Sequence, residues 1–244
     1  MESEVYLRHI ANEESHWWFK GRREIIYSII KKNINFNKRE INILDFGAGS
    51  GTNIRMLSKF GNVYAHEKDE KTSNFLKEKF KQSKNINIIQ QPEKKEFFDL
   101  ILAADVIEHI EDDEAILKFL SDLLNKNGKI IITIPAFKFL FSSKDKALHH
   151  YRRYNRQNIK KIVLKYFQIY KLSYYNFFLF LPIAISIIFL KVFRLDFIDS
   201  VEKKPNNILN NILFRILDSE KYFLNFLNFP FGISLIALAK KKIN

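Results

Sequence analysis

Short apolar runs alternate with amphipathic stretches through the first two thirds of the chain. Runs at 41–46, 62–66, 86–90, 98–103 and 129–134 have the length and β-branched content of buried strands. Between them, 52–60, 70–82 and 112–125 carry apolar residues at helical spacing, and 2–33 reads as an N-terminal helical segment. Gln157 to Lys165 reads as a further helix, with strands from Gln168 to Tyr175 and from Ile233 to Lys240. This alternation of strand and helix predicts an α/β fold, a parallel sheet with helices on both faces.

Residues 177–228 interrupt this alternation between the sixth and seventh strands. Leu172 to Leu190 contains nineteen residues without a charge. The first of these belong to the sixth strand and Pro182 interrupts the rest, leaving fourteen from Phe177 to Leu190. Fourteen apolar residues suit a buried or interfacial helix better than a membrane span of about twenty. Downstream, Ile208, Leu209, Ile212, Leu213, Ile216 and Leu217 recur at three- and four-residue steps among Asn and charged residues, an amphipathic helix. With the polar stretch Asp199 to Asn206 between them, the two segments predict a helical hairpin. Two readings stay open: a lid over a substrate site, or a membrane-docking element with Lys191, Arg194, Lys203 and Lys204 near the headgroups.

Candidate chemistry begins at Ile43–Asn53, where an apolar strand runs into Asp45 and then into Gly47, Gly49 and Gly51. Glycines there let backbone amides approach a ligand, and a following helix N-terminus favours an anionic group. The dinucleotide fingerprint needs a third glycine where Thr52 stands, and the phosphate-loop Gly-Lys-Ser/Thr is absent. Glu67 lies at the end of the second strand, where a carboxylate meets a ribose diol. Ribose recognition without a pyrophosphate site points to S-adenosylmethionine.

Further pieces follow in order: Phe98-Asp99-Leu100-Ile101 entering a strand, Asp105-Val106-Ile107-Glu108-His109-Ile110 leaving it, and Asn127-Gly128-Lys129 turning into Ile130–Pro135. With these, residues 41–137 resemble a class I S-adenosylmethionine-dependent methyltransferase. Glu13-Glu14-Ser15-His16-Trp17-Trp18-Phe19 and His150-Tyr151-Arg152-Arg153-Tyr154 also resemble a bacterial subgroup that accompanies cell-surface polysaccharide or lipid pathways. The resemblance implies a Rossmann-like seven-stranded sheet whose last strand inserts antiparallel beside the fifth. It implies an N-terminal helical cap (1–40), a cofactor-binding core (41–176), an apolar helical insertion (177–228) and a final strand completing the core (229–244).

Carried over residue by residue, the resemblance places Asp45, Gly47, Ala48, Gly49 and Asn53 at the methionine end of the cofactor. Glu67 and Lys68 fall at the ribose, and Asp105, Val106 and Ile107 beside the sulfonium. Adenine contacts fall near Gln90 and Gln91, which lack the usual acidic residue. His109 reads as structural support of its loop. His16, Trp17, Arg22 and Arg23 read as acceptor-side residues, because two adjacent tryptophans cannot both face the core of one helix. After the fifth strand, Asp145, His149 and His150 are candidate catalytic groups, with Arg152 and Arg153 to recognise an anionic acceptor. Two histidines and an acid raise metal ligation, but no third matched ligand is evident, and the reading is no metal.

Composition narrows the rest. The absence of cysteine excludes disulfides and thiolate chemistry and fits a reducing cytoplasm, and no secretory signal is visible at Met1-Glu2-Ser3-Glu4. Forty Lys+Arg against twenty-seven Asp+Glu give +13, which attracts nucleic acid or an anionic membrane alike. Nucleic acid is disfavoured, because Ala104-Asp105-Val106-Ile107 is not the Asn/Asp-Pro-Pro-Tyr/Phe of amino-methylating nucleic-acid enzymes. The expected partner is a lipid-linked or small-molecule acceptor, with the protein in the cytoplasm, at the inner membrane face if the insertion docks there. A soluble-metabolite methyltransferase and a silent cofactor-binding scaffold are the alternatives.

Overall fold

Seven strands form one sheet in the order β3-β2-β1-β4-β5-β7-β6 in the computed structural model, which describes residues 14–34, 40–193 and 204–242. The strands are β1 (Ile41–Phe46), β2 (Gly61–His66), β3 (Ile86–Ile89), β4 (Phe98–Ala104), β5 (Leu124–Pro135), β6 (Phe167–Tyr175) and β7 (Ser234–Lys241). β7 runs antiparallel between β5 and β6, as the resemblance implies, and the β1–β5 pairings are parallel. Strand order reverses between β1 and β4, so their carboxyl ends flank the crevice where open α/β sheets take ligands.

The helices are α1 (Trp17–Asn33), α2 (Ile54–Leu57), α3 (Glu70–Phe80), α4 (Asp113–Leu123), α5 (Ser143–Ala147), α6 (Arg156–Tyr166), α7 (Phe180–Val192) and α8 (Asn207–Leu224). Several starts are written in the sequence as caps: Asp69, Asp112, Asn155 and Asn206 each accept a backbone N–H of the first turn. The helix expected over 52–60 shrinks to Ile54–Leu57. Gly61 already pairs with Ile41 in the sheet, so the chain must turn at Lys59 and Phe60. Helix α5 and the 3₁₀ turns Ile107–His109 and Lys138–Leu140 are too short to leave a periodic pattern.

The insertion differs from the expected hairpin. Helix α8 lies along α1, and α7 rests on the Lys138–Leu140 turn, so each finds its principal contact outside the insertion. Gly21 of α1 makes the first packing possible, because a Cβ there would stand 2.5 Å from Leu217 Cδ2. Buried Asn210 accepts from the Trp17 N–H (2.9 Å) and donates to the Ser15 carbonyl (3.0 Å), fixing the start of α1. The fully buried Glu220 accepts the N–H groups of Asn176, Phe177 and Phe178 at 2.7, 2.7 and 3.0 Å, closing the chain as it leaves β6. Arg194 and Lys203, expected near headgroups, lie outside the described residues, as does most of the polar linker. No helix among the described residues is long and apolar enough to cross a membrane.

Burial pushes Glu220 up to about 7, against the pull of its three N–H partners. A folded-state value raised above the unfolded one favours the neutral acid, so this contribution is full below about pH 4.5 and is lost as pH rises through 7. Thermal melts across pH 4–8 should show that loss in the wild type and a flatter profile in Glu220→Gln. Glu220→Ala, which abandons three backbone N–H groups, should cost about 3 kcal/mol.

Candidate functional site

The strand-to-helix junction after β1 forms a left-handed path. Gly47, Gly49 and Gly51 have φ of 71°, 54° and 83°, a region closed to most side chains. A Cβ on Gly47 would meet Val106 Cγ2 at 2.7 Å, and one on Gly51 would meet Leu76 Cδ2 at 2.7 Å. At Gly49 a Cβ would meet nothing within 4 Å. Two glycines therefore pack the loop against its own protein, and the middle one borders open space.

Glu67 reaches across from the end of β2, its two oxygens accepting the N–H groups of Gly49 and Asp69 at 2.9 Å each. The Ala48 N–H donates to the His66 carbonyl (2.8 Å), and Phe46 stacks on His66 with centroids 4.7 Å apart. Asp45 and Asn53 are buried at the same junction, and Asn53 Oδ1 has no hydrogen-bond partner among the described residues. Open space at Gly49, a carboxylate at the loop and a buried free acceptor fit a nucleoside carrying an amino-acid tail. Lys68, Gln90 and Gln91 are exposed at the rim.

Across the crevice, Asp105 follows β4 with φ 56°, a conformation that aspartate tolerates better than most residues. Its carboxylate pairs with Arg22 of α1 and accepts the Thr133 hydroxyl of β5 at 2.9 Å. Tyr175 is fully buried beside it, with Trp18 of α1 stacked on the ring at 5.8 Å. Val106 meets Gly47, and Ile107 is buried in the 3₁₀ turn. His16 caps α1 by accepting the Trp18 N–H, and Arg23 donates to the Glu14 carbonyl.

The segment after β5 folds around Asp145. Arg153 holds it with two bonds (Nε to Oδ1 2.7 Å, Nη2 to Oδ2 3.0 Å), and His150 Nδ1 lies 3.0 Å from Oδ1. The Ser142 N–H and hydroxyl complete its shell. Burial alone would raise this carboxyl, but the bonds from His150 and Arg153 hold it well below the usual carboxylate range. Asp145 is thus a buried anchor that orients His150. His149 is exposed with φ 57°. Arg152 pairs with Asp113 (2.9 Å) and donates to the Glu111 carbonyl (2.6 Å), so Arg22, Arg152 and Arg153 each already serve an internal carboxylate.

Sequence reasoning missed Thr133 and Tyr175 and gave Glu108 no role of its own. Thr133 had left a signal, the one polar residue inside Ile130–Pro135. Burial lowers His109 to about 4, and His150 adds to this, so the imidazole is neutral near pH 7.

Residues 18–172 match the family described as methyltransferase domain, and the chain belongs to it. A protein of Methanocaldococcus jannaschii that has no characterised activity is 30% identical over 183 residues, 72% of this chain and 76% of that one. Among solved structures, Haemonchus contortus phosphoethanolamine N-methyltransferase 2 in complex with phosphomonomethylethanolamine and S-adenosylhomocysteine superposes with TM-score 0.57 at 18% identity. The match covers 90% of this chain and about half, 52%, of that one. A S-adenosylmethionine-dependent methyltransferase of Archaeoglobus fulgidus gives TM-score 0.55 at 15% identity, covering 90% and 94% of the two chains. The protein is a methyltransferase, and it shares its fold with these S-adenosylmethionine-dependent neighbours.

Titration calorimetry with S-adenosylhomocysteine checks the placement of the cofactor. Gly49→Arg fills the open space and Glu67→Ala removes the carboxylate at the loop, so each should weaken binding at least about tenfold, ~1.4 kcal/mol. Wild-type affinity in both folded variants would place the cofactor elsewhere.

Proposed function

We propose that this methyltransferase acts on an anionic, lipid-linked acceptor of a cell-surface glycan or lipid pathway, presented at the membrane face. The observation that carries the reading is α7. Only Ala184 and Ile187 of this helix are buried, whereas Leu181, Ile185, Phe189 and Val192 are 64, 64, 52 and 69% exposed. Ile208, Leu209 and Ile212 on α8 add further exposed apolar surface. Contiguous apolar surface on a chain of net charge +13 suits an anionic bilayer, into which α7 would lie flat. The resemblance of the His16–Phe19 and His150–Tyr154 segments to the polysaccharide- and lipid-pathway subgroup points to the same class of acceptor.

The bound cofactor supplies an electrophilic methyl group, and the reaction is an in-line displacement. The task left to the chain is alignment and exclusion of water. Glu67 and the Gly47–Gly51 loop would hold the nucleoside and its tail, Trp18 and Tyr175 keep the floor dry, and His150, oriented by Asp145, would position the acceptor. A soluble metabolite remains the second reading, favoured by the packing of α8 on α1, which makes that helix a fixed cover.

Liposome flotation tests the membrane part. The protein should float with anionic vesicles at low salt, less at high salt, and much less after Leu181→Glu with Ile185→Glu. Retention in the soluble fraction at low salt would transfer the proposal to the soluble acceptor. Once labelling of lipid and aqueous extracts has given the acceptor, His150→Ala should lower turnover by about a hundredfold or more while leaving S-adenosylhomocysteine affinity within about twofold.

A further inference from the structure

Behind Asp105 lies a group of side chains that methyl transfer does not itself require. Glu108, in the 3₁₀ turn after β4, is fully buried, and neither carboxylate oxygen has a hydrogen-bond partner among the described residues. An ionised carboxylate buried without donors is costly, so such a group either keeps its proton or meets a cation. Beside it, the rings of His109 and His150 meet edge to face with centroids 4.5 Å apart. One potential ligand atom from each of Glu108, His109 and His150 lies within 4.8 Å of the other two.

One orientation is set from outside this trio. Asp145, held ionised by Arg153, can only accept, so His150 Nδ1 donates to it and leaves Nε2 as the nitrogen available to a ligand. Two imidazoles, one of them oriented by the carboxylate behind it, and one buried carboxylate make the ligand set of a divalent transition-metal site.

We propose that Glu108, His109 and His150 bind one divalent transition-metal cation, with its open positions facing the crevice for an oxygen of the acceptor. The three ligand atoms must draw together by about 1 Å to reach metal bonds of ~2.0–2.2 Å, a matter of side-chain rotation. A cation between Glu108 and the two imidazoles would supply the partner that neither Glu108 oxygen has among the described residues. The two nitrogen ligands favour zinc, iron or cobalt over magnesium or calcium. Orienting the acceptor rests on the methyl-transfer reading, but binding of the cation does not.

The test uses the whole chain after chelator treatment and dialysis. Co²⁺ followed by visible absorption and Zn²⁺ followed by calorimetry should each saturate at one equivalent, with affinity falling at least about tenfold in Glu108→Gln and in His150→Ala. X-ray absorption of the Zn²⁺-loaded wild type reads the ligands without any variant, and two imidazole nitrogens with a carboxylate are expected. No binding up to about 1 mM, wild-type affinity in both folded variants, or a shell of water oxygens alone would overturn the proposal. S-adenosylhomocysteine binding measured on the same samples separates the two ideas. Its persistence without metal binding would overturn only the cation site, and its loss with metal binding intact would overturn only the cofactor reading.

Discussion

The ion pair between the buried Arg22 and the half-buried Asp105 is the constraint on which the remaining architecture depends. Asp105 stands at the point where strand order reverses, in a left-handed conformation, with its carboxylate shared between Arg22 and the Thr133 hydroxyl. The pair ties the helix carrying the buried Arg22 to the sheet at the edge of the ligand crevice. That helix in turn presents Trp18 to Tyr175 and offers Gly21 to Leu217, which brings α8 over it. One ion pair thereby couples the catalytic end of the sheet to a cover drawn from both ends of the sequence.

The same crowding of charge organises the chemistry. Asp105, Glu108 and Asp145 lie close together at the carboxyl ends of β4 and β5, and three positions are counterbalanced differently. Arg22 answers Asp105 and Arg153 answers Asp145, while Glu108 has no such donor among the described residues. With Arg22 and Arg153 so engaged, both guanidinium groups at this end of the sheet are committed to internal carboxylates.

Much of this was legible in the chain, for reasons that differ by element. The strands β1, β4 and β5 announced themselves because parallel strands buried on both faces are nearly continuous apolar runs, as in Leu100–Ala104 and Ile130–Ile132. The glycine loop was legible because left-handed backbone at three positions leaves few alternatives to glycine. The structure brings Asp45, Gly47, Gly49, Asn53 and Glu67 to one junction, and Asp145, His150 and Arg153 to another. What stayed illegible depended on long-range geometry. The partners of Arg22, Arg152 and Arg153 lie 83, 39 and 8 positions away, as the numbers of Asp105, Asp113 and Asp145 show, and periodicity carries no record of such pairs. The amphipathic pattern of α8 likewise said that one face is buried but not against what, and the answer was α1 instead of α7.

The central claim is that the open side of the Gly47–Gly51 loop faces the Asp105–His150 crevice as one continuous reaction chamber. A crystal structure with bound S-adenosylhomocysteine tests it most directly. The account predicts the ribose hydroxyls on Glu67, the amino-acid tail along Gly47 and Gly49, and the thioether sulfur turned toward Asp105 and His150. Density for the ligand with its sulfur turned away from that crevice, or bound outside the β1 loop altogether, would contradict it.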